Sequence, residues 1–210
     1  PIAERIHALA FVSHVLHADD TGLKVLDEAS PGGAYRGRMW GMVGDRTWAS
    51  YCFKPSADGA HAVNLLAARE GYLVVDAHGN YDALFKLDNA TEVGCWCHAR
   101  RPFVEALDQG DTRCAVIVKL VKGLYEIERE ASALGLDNDE RRKLRLRKSA
   151  PILDDIRAWA QKQLSLEPPG GEYRRACNYL IKHQAALHRF LEDGALPLDI
   201  NEAERSVRGV

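Results

Sequence analysis

The sequence predicts an α/β fold: a mixed sheet flanked by helices, with a large all-helical insertion before a last acidic helix. Two observations carry this expectation. Between residues 14 and 100, short apolar runs bounded by turn residues alternate with brief helical stretches. From about residue 99 to 193, apolar residues recur at the three- and four-residue spacing of a helix face.

Taken in order, Val15-Leu16-His17-Ala18-Asp19 reads as a strand that ends at an Asp19-Asp20-Thr21-Gly22 turn, with Lys24-Val25-Leu26 a short apolar continuation. Gly32-Gly33 marks a loop. Arg38 to Val43 and Trp48 to Phe53 read as two more strands around a Gly44-Asp45-Arg46 turn, and their close spacing predicts an antiparallel meander. Residues 58–69 suit a helix. Tyr72-Leu73-Val74-Val75-Asp76 is a buried-type strand ending in an acid, followed by a short helix near Tyr81–Phe85 and a strand over Glu92–Trp96. In the helical block, Asp139–Arg147 is one helix and Pro151 opens the next, because proline suits a first helical turn. Pro168-Pro169-Gly170-Gly171 is a break, a long helix runs from Glu172 to Glu192, and a terminal helix starts near Asp199.

The chain has 210 residues, 46% hydrophobic and 28% charged, enough for one core with an insertion. No apolar run approaches the ~18 residues of a membrane span. The start, Pro1-Ile2-Ala3-Glu4-Arg5, has neither a signal-peptide pattern nor a Met, so the chain reads as a cut-out domain with a cytoplasmic, bacterial setting. Five scattered cysteines fit reduced thiols. The net charge of −2 argues weakly against a nucleic-acid partner, but residues 141–148, RRKLRLRK, concentrate six cations.

Two strands that each end in Asp are chemically suggestive, because open α/β sheets hold ligands beyond the carboxyl ends of their strands. Local patterns leave the choice of acid open. Asp19 and Asp20 point to opposite faces of a strand, and the same four residues make a good turn. Glu202 and Glu204 lie about 200° apart on a helix, and Asn201 or Asp199 forms a capping box with one of them. Three carboxylates from distant segments are what a two-metal phosphodiester site requires.

Four segments carry a family resemblance. Leu16-His17-Ala18-Asp19-Asp20-Thr21 is similar to the first acidic motif of the insertion-sequence-66 transposase family, and Asp76-Ala77-His78-Gly79-Asn80-Tyr81 to its second. Cys95-Trp96-Cys97-His98-Ala99-Arg100-Arg101-Pro102-Phe103 resembles its Cys-Trp-x-His-Ala-Arg-Arg signature, and Asp199 to Arg208 its third acidic motif. Order and spacing match over residues 16–208. The resemblance implies an RNase H-like core acting as an Asp-Asp-Glu transposase, which cleaves and joins DNA strands. It selects Asp19, Asp76 and Glu204 as catalytic ligands of two Mg²⁺ ions, with Mn²⁺ as a substitute.

It further implies a core over 1–103, a helical insertion over 104–193 and a core-completing helix over 194–210. The partners are transposon ends and target DNA, with a homo-oligomer as the active form. Full-length members carry additional amino-terminal DNA-binding and zinc-binding segments. Asp20 stands where the family usually has Glu, Ile200 where it has Asn, and Pro102 where Lys is common.

His98, Arg100, Arg101, Arg205 and Arg208 are candidate phosphate contacts, joined by Arg142, Lys143 and Arg145 of the basic run. The competing reading of that run is a solvated helix face. Cys95, Cys97 and His98 lack a C-x₂-C pair, so buried thiols on an alternating strand are expected rather than zinc ligands. His17 and His78 flank the predicted ligands and either orient them or are structural. Trp40, Trp48, Trp96 and Trp159 are expected in the core. Two other functions share these features: a non-catalytic DNA-binding or assembly remnant of a transposase, and an RNase H-like nuclease.

Overall fold

The computed structural model describes residues 1–76, 81–201 and 206. It is an α/β protein. Among the described residues there are eight α-helices and one five-stranded mixed sheet of order β3-β2-β1-β4-β5. The chain divides into two compact units, residues 1–92 with the segment from Ile200, and residues 93–199.

The first unit opens with helix α1 (Ile2–Phe11), followed by strands β1 (Val15–Leu26), β2 (Ala34–Gly44) and β3 (Trp48–Lys54). These three form the expected antiparallel meander. The β2–β3 connection is three residues long, with Asp45 and Arg46 in the left-handed region at φ 44° and 55° and the Thr47 N–H donating to the Gly44 carbonyl at 2.9 Å. The Asp45 carboxylate accepts hydrogen bonds from the backbone N–H groups of His14 and Val15 (3.0 and 2.9 Å), which tie the turn to the start of β1.

Strand β1 is longer than expected. The Asp19-Asp20-Thr21-Gly22 sequence does not turn, because each of these residues is paired with β2, Asp19 with Gly41 through Gly22 with Arg38. Continuous ladder hydrogen bonds on a long partner outweigh a four-residue turn preference.

Helix α2 (Gly59–Leu66) is capped by Asp58, whose carboxylate accepts from the Ala60 N–H at 2.9 Å. Strand β4 (Gly71–Val75) then pairs parallel to β1, α3 (Asp82–Phe85) follows, and β5 (Ala90–Gly94) joins the sheet. The core of this unit gathers Leu16, Ala18, Trp40, Met42, Leu73 and Val75 with Ala62 and Leu66 of α2, and with Tyr81 and Leu84.

The second unit contains α4 (Trp96–Asp108), α5 (Ala115–Ala133), α6 (Asn138–Leu166), α7 (Glu172–Lys182) and α8 (Gln184–His188). Three expectations change here. The strand ends at Gly94 and Cys95 caps α4, so strand alternation does not apply to Cys95, Trp96 and Cys97. Trp96 is buried, and its indole N–H donates to the Leu187 carbonyl at 2.8 Å. Pro151 does not open a helix: α6 runs through it for 29 residues, started by a capping box of Asp137 and Glu140 and buried through Leu144, Leu153, Ile156 and Ala160. Burial along both halves of α6 offsets the one hydrogen bond that proline removes. The expected helix from Glu172 to Glu192 is broken at His183 into α7 and α8.

Arg145 sits at the centre of this unit with 1% of its surface exposed. It binds both oxygens of Glu128 (2.7 and 2.8 Å) and donates to the carbonyls of Phe190, Asp193 and Leu196 (2.7 to 2.9 Å). Arg141 adds a 2.9 Å bond to Glu128. Burial pushes the Glu128 carboxyl up, but the hydrogen bonds and charges of Arg145 and Arg141 outweigh it and hold it below its usual value of 4.5. Removing one partner strands the other. Arg145→Ala should therefore lower the unfolding free energy by about 3–5 kcal/mol in a urea titration. Because the carboxyl is depressed in the folded state, its stabilisation is present above pH about 4.5 and is lost as pH falls through the folded-state value. Glu128→Gln should flatten that acid limb of the stability curve.

Candidate active site

The site begins with strand register. Val15, Leu16 and His17 of β1 lie beside Tyr72, Leu73 and Val74 of β4 in parallel pairing. Two residues further along each strand direction stand Asp19, still inside β1, and Asp76, which directly follows β4. Side chains alternate along a strand, and Leu16 and Ala18 face the core. Asp19 therefore belongs to the opposite side of β1, with His17.

Asp20 falls on the core side of β1, level with Trp40. Its carboxylate meets Arg38 Nε at 3.3 Å. The two adjacent acids are thus on opposite faces of β1, and a cation on β2 engages Asp20.

Tyr81 reports how closely the acids gather. Its ring is 3% exposed and packs edge-on against Trp40, with centroids 5.9 Å apart. Burial first, then the negative charges of Asp76, Asp20 and Asp19, push its phenol well above the usual value near 10. The phenol thus lies within electrostatic reach of all three carboxylates, after the larger effect of its own burial. The sequence held a signal for it, since Tyr81 is part of the second acidic motif, but not for the Arg38 partner of Asp20.

Carboxylate oxygens are hard donors suited to Mg²⁺ or Mn²⁺, and two of them on adjacent parallel strands fit such an ion. Among the described residues, no group of three or more His, Cys, Asp or Glu is placed to hold a metal. Glu204, Arg205, Arg208 and His78 lie outside the described residues. His17 is buried, and burial, then the Arg46 charge, lowers its pKa to about 4 against the opposing pull of Asp45. Its imidazole is therefore neutral near pH 7.

The candidate phosphate contacts of the second unit divide. On α4, His98 Nδ1 lies 3.2 Å from Cys95 Sγ, and the Arg100 guanidinium sits 5.3 Å from the centre of the Tyr125 ring. The Tyr125 hydroxyl donates to Asp199 at 3.0 Å. Burial, then the charges of Asp199, Cys95 and Cys97, push that phenol up. Arg101, Arg142 and Lys143 are exposed. Arg145 is corrected: its donors are turned inward to Glu128 and three carbonyls, so it does not reach a phosphate. Of the tryptophans, Trp40 and Trp96 are in the core, whereas Trp48 is 38% exposed.

The raised Tyr81 phenol has a spectroscopic consequence. In an alkaline titration followed by phenolate absorbance, the difference between the wild-type chain and Tyr81→Phe should show no ionised Tyr81 at about pH 10, where an ordinary tyrosine is half ionised. Asp76→Asn should shift that ionisation to lower pH, since one opposing negative charge is gone. An ordinary midpoint for Tyr81 would refute the acid-ringed placement.

Comparison with known proteins gives these residues a family. The model described as "Transposase IS66 family" matches residues 1–210. The uncharacterized proteins y4hP and y4jD of Sinorhizobium fredii are 29% and 28% identical to this chain over its whole length, which spans 42% and 43% of theirs. A third protein of that organism, uncharacterized protein y4qI, is 28% identical over 91% of the chain and 38% of its own length. No solved structure matches. With the family model matching from its first residue to its last, the chain belongs to the IS66 transposase family.

Proposed function

We propose that this chain is the catalytic domain of a transposase that cleaves DNA strands and joins them to target DNA, with Asp19, Asp76 and Glu204 as its metal ligands. The observation that carries this reading is the parallel pairing of β1 with β4 through His17 and Val74, two residues before Asp19 and Asp76 respectively. Membership in the transposase family supplies the substrate class, DNA.

The first unit is the RNase H-like core in this reading. An antiparallel β1–β3 meander beside a parallel β4 suits such a core. The second unit, residues 93–199, contains the helical insertion, which the resemblance sets at 104–193. Asp19 and Asp76 supply hard oxygen ligands from the sheet, and Glu204 supplies the third from the terminal segment. Two Mg²⁺ ions held there would stabilise the attacking and leaving oxygens of an in-line displacement.

The nucleophile is water in the cleavage step and a DNA 3′-hydroxyl in the joining step. Asp20, engaged by Arg38, is not a ligand in this scheme. His98, Arg100, Arg101, Arg142 and Lys143, with Arg205 and Arg208, contact phosphates and position DNA without reading its sequence. The active form is a homo-oligomer acting in the cytoplasm. No helix among the described residues is long and apolar enough to cross a membrane.

Calorimetric titration with Mn²⁺ and a strand-transfer assay test the reading together. Asp19→Ala and Asp76→Ala should each abolish strand transfer and weaken Mn²⁺ binding by at least about tenfold, with the unfolding midpoint unchanged or raised by relief of like-charge repulsion. Asp20→Asn should keep Mn²⁺ binding. DNA binding by the wild-type chain with no Mn²⁺ affinity would instead identify a non-catalytic DNA-binding module.

A further inference from the structure

We propose that Lys24, Arg36, Arg38 and Lys54 form a cationic ladder on the first unit that holds the phosphate backbone of duplex DNA. The inference rests on the reading of DNA as the substrate. It adds a binding surface that neither the acidic motifs nor the basic run at 141–148 single out.

Strand register brings the four cations together. Lys24 of β1 pairs with Arg36 of β2, and two residues further along β2, Arg38 pairs with Lys54 of β3. Paired residues point to the same side of a sheet, as do residues two apart on one strand. Lys24 and Arg38 therefore share the side that carries Ala18, Trp40 and Met42. This face of the meander is apolar at one end, where it meets the core, and cationic at the other. Two contacts fix the side chains there. The Arg36 guanidinium lies over Gly22, with Nε 2.6 Å from where a Cβ on that glycine would stand, and Arg38 Nε lies 3.3 Å from the Asp20 carboxylate. Strands about 4.8 Å apart, rising about 3.4 Å per residue, place the four backbones within a patch of about 10 by 7 Å.

The arrangement points to a polyanion. Like charges directly opposite one another destabilise a sheet, yet this face holds two such pairs in succession. Of the four cations, Arg38 has an ion pair among the described residues, to Asp20, so four positive charges stand against one carboxylate. Lys24 and Arg36 are exposed, and Arg38 and Lys54 are half-buried. Gly22, Lys24, Ala34, Tyr35 and Arg36 line an open depression of about 410 Å³ in this surface. Duplex DNA presents one negative charge per about 1.7 Å of axis, so its backbone can satisfy several closely spaced cations at once. Membership in a transposase family makes DNA the polyanion that fits. Contacts of this kind position the duplex without reading its bases.

Lys24→Gln, Arg36→Gln and Lys54→Gln test the ladder without disturbing Arg38, which engages Asp20. Binding of the full chain to synthetic duplexes of unrelated sequence is followed by fluorescence anisotropy over a range of salt concentrations. The triple variant should bind at least about tenfold more weakly, equally for every duplex, and its slope of log K against log salt should flatten by about 2 to 3. Each single variant should flatten the slope by about 1. Mn²⁺ affinity should stay at the wild-type value, and the unfolding midpoint should hold or rise as like-charge opposition is relieved. A merely solvated patch would leave affinity and slope unchanged. That result, with wild-type DNA binding intact, overturns the ladder and leaves the transposase reading standing. If the wild-type chain binds no duplex with or without Mn²⁺, the reading of DNA as substrate fails and the ladder fails with it.

Discussion

The parallel pairing of β1 with β4 is the constraint on which the acid pair depends. Val15 to Ala18 and Leu73 to Val75 are apolar runs buried on the sheet, and their register is set by Leu16, Ala18, Leu73 and Val75 filling one core. A slip of one residue in either strand would turn its acid toward that core. The hydrophobic contacts therefore do more than stabilise the first unit. They fix the register in which Asp19 and Asp76 each follow two residues after the paired His17 and Val74. The negative charges of Asp76, Asp20 and Asp19 act together on the buried Tyr81 phenol and, after burial, push it up. A field of that sign favours a bound cation.

A different electrostatic arrangement organises the helical unit. Six cations in eight residues look alike as sequence, yet the fold gives them separate roles. Arg145 is enclosed and saturated by Glu128 and three carbonyls, Arg141 shares Glu128, and Lys148 pairs with Glu130 at 2.7 Å. Arg142, Lys143 and Arg147 remain exposed. The buried arginine joins α5 to α6 and both to the segment after α8, through the carbonyls of Phe190, Asp193 and Leu196.

Much of the fold was legible in local pattern. The β2–β3 hairpin, β4, the Asp58-capped α2 and the change to helix after β5 each follow from residues near one another in sequence. The misreadings share one cause. The Asp19–Gly22 turn, the helix start at Pro151 and the strand over Cys95–Trp96 were judged on local preference, and each was overridden by a partner far away in the chain. That partner was β2 for the acids, the packed faces on either side of Pro151 for α6, and the Leu187 carbonyl for Trp96.

The sequence alone determined the α/β class, the meander, the helical block and, through its four motifs, the transposase family to which the chain belongs. It named Asp76 as an acid that terminates a short apolar strand, because an apolar run and the residue that ends it are local facts, but it also ended β1 at Asp19, which lies inside that strand. Only the tertiary structure decided which faces of β1 Asp19 and Asp20 occupy, that Arg38 engages Asp20, that Arg145 is interior and that Tyr51 reaches Ser206. Those outcomes depend on register and packing between segments up to 155 residues apart, and no local pattern encodes which distant group a side chain will meet.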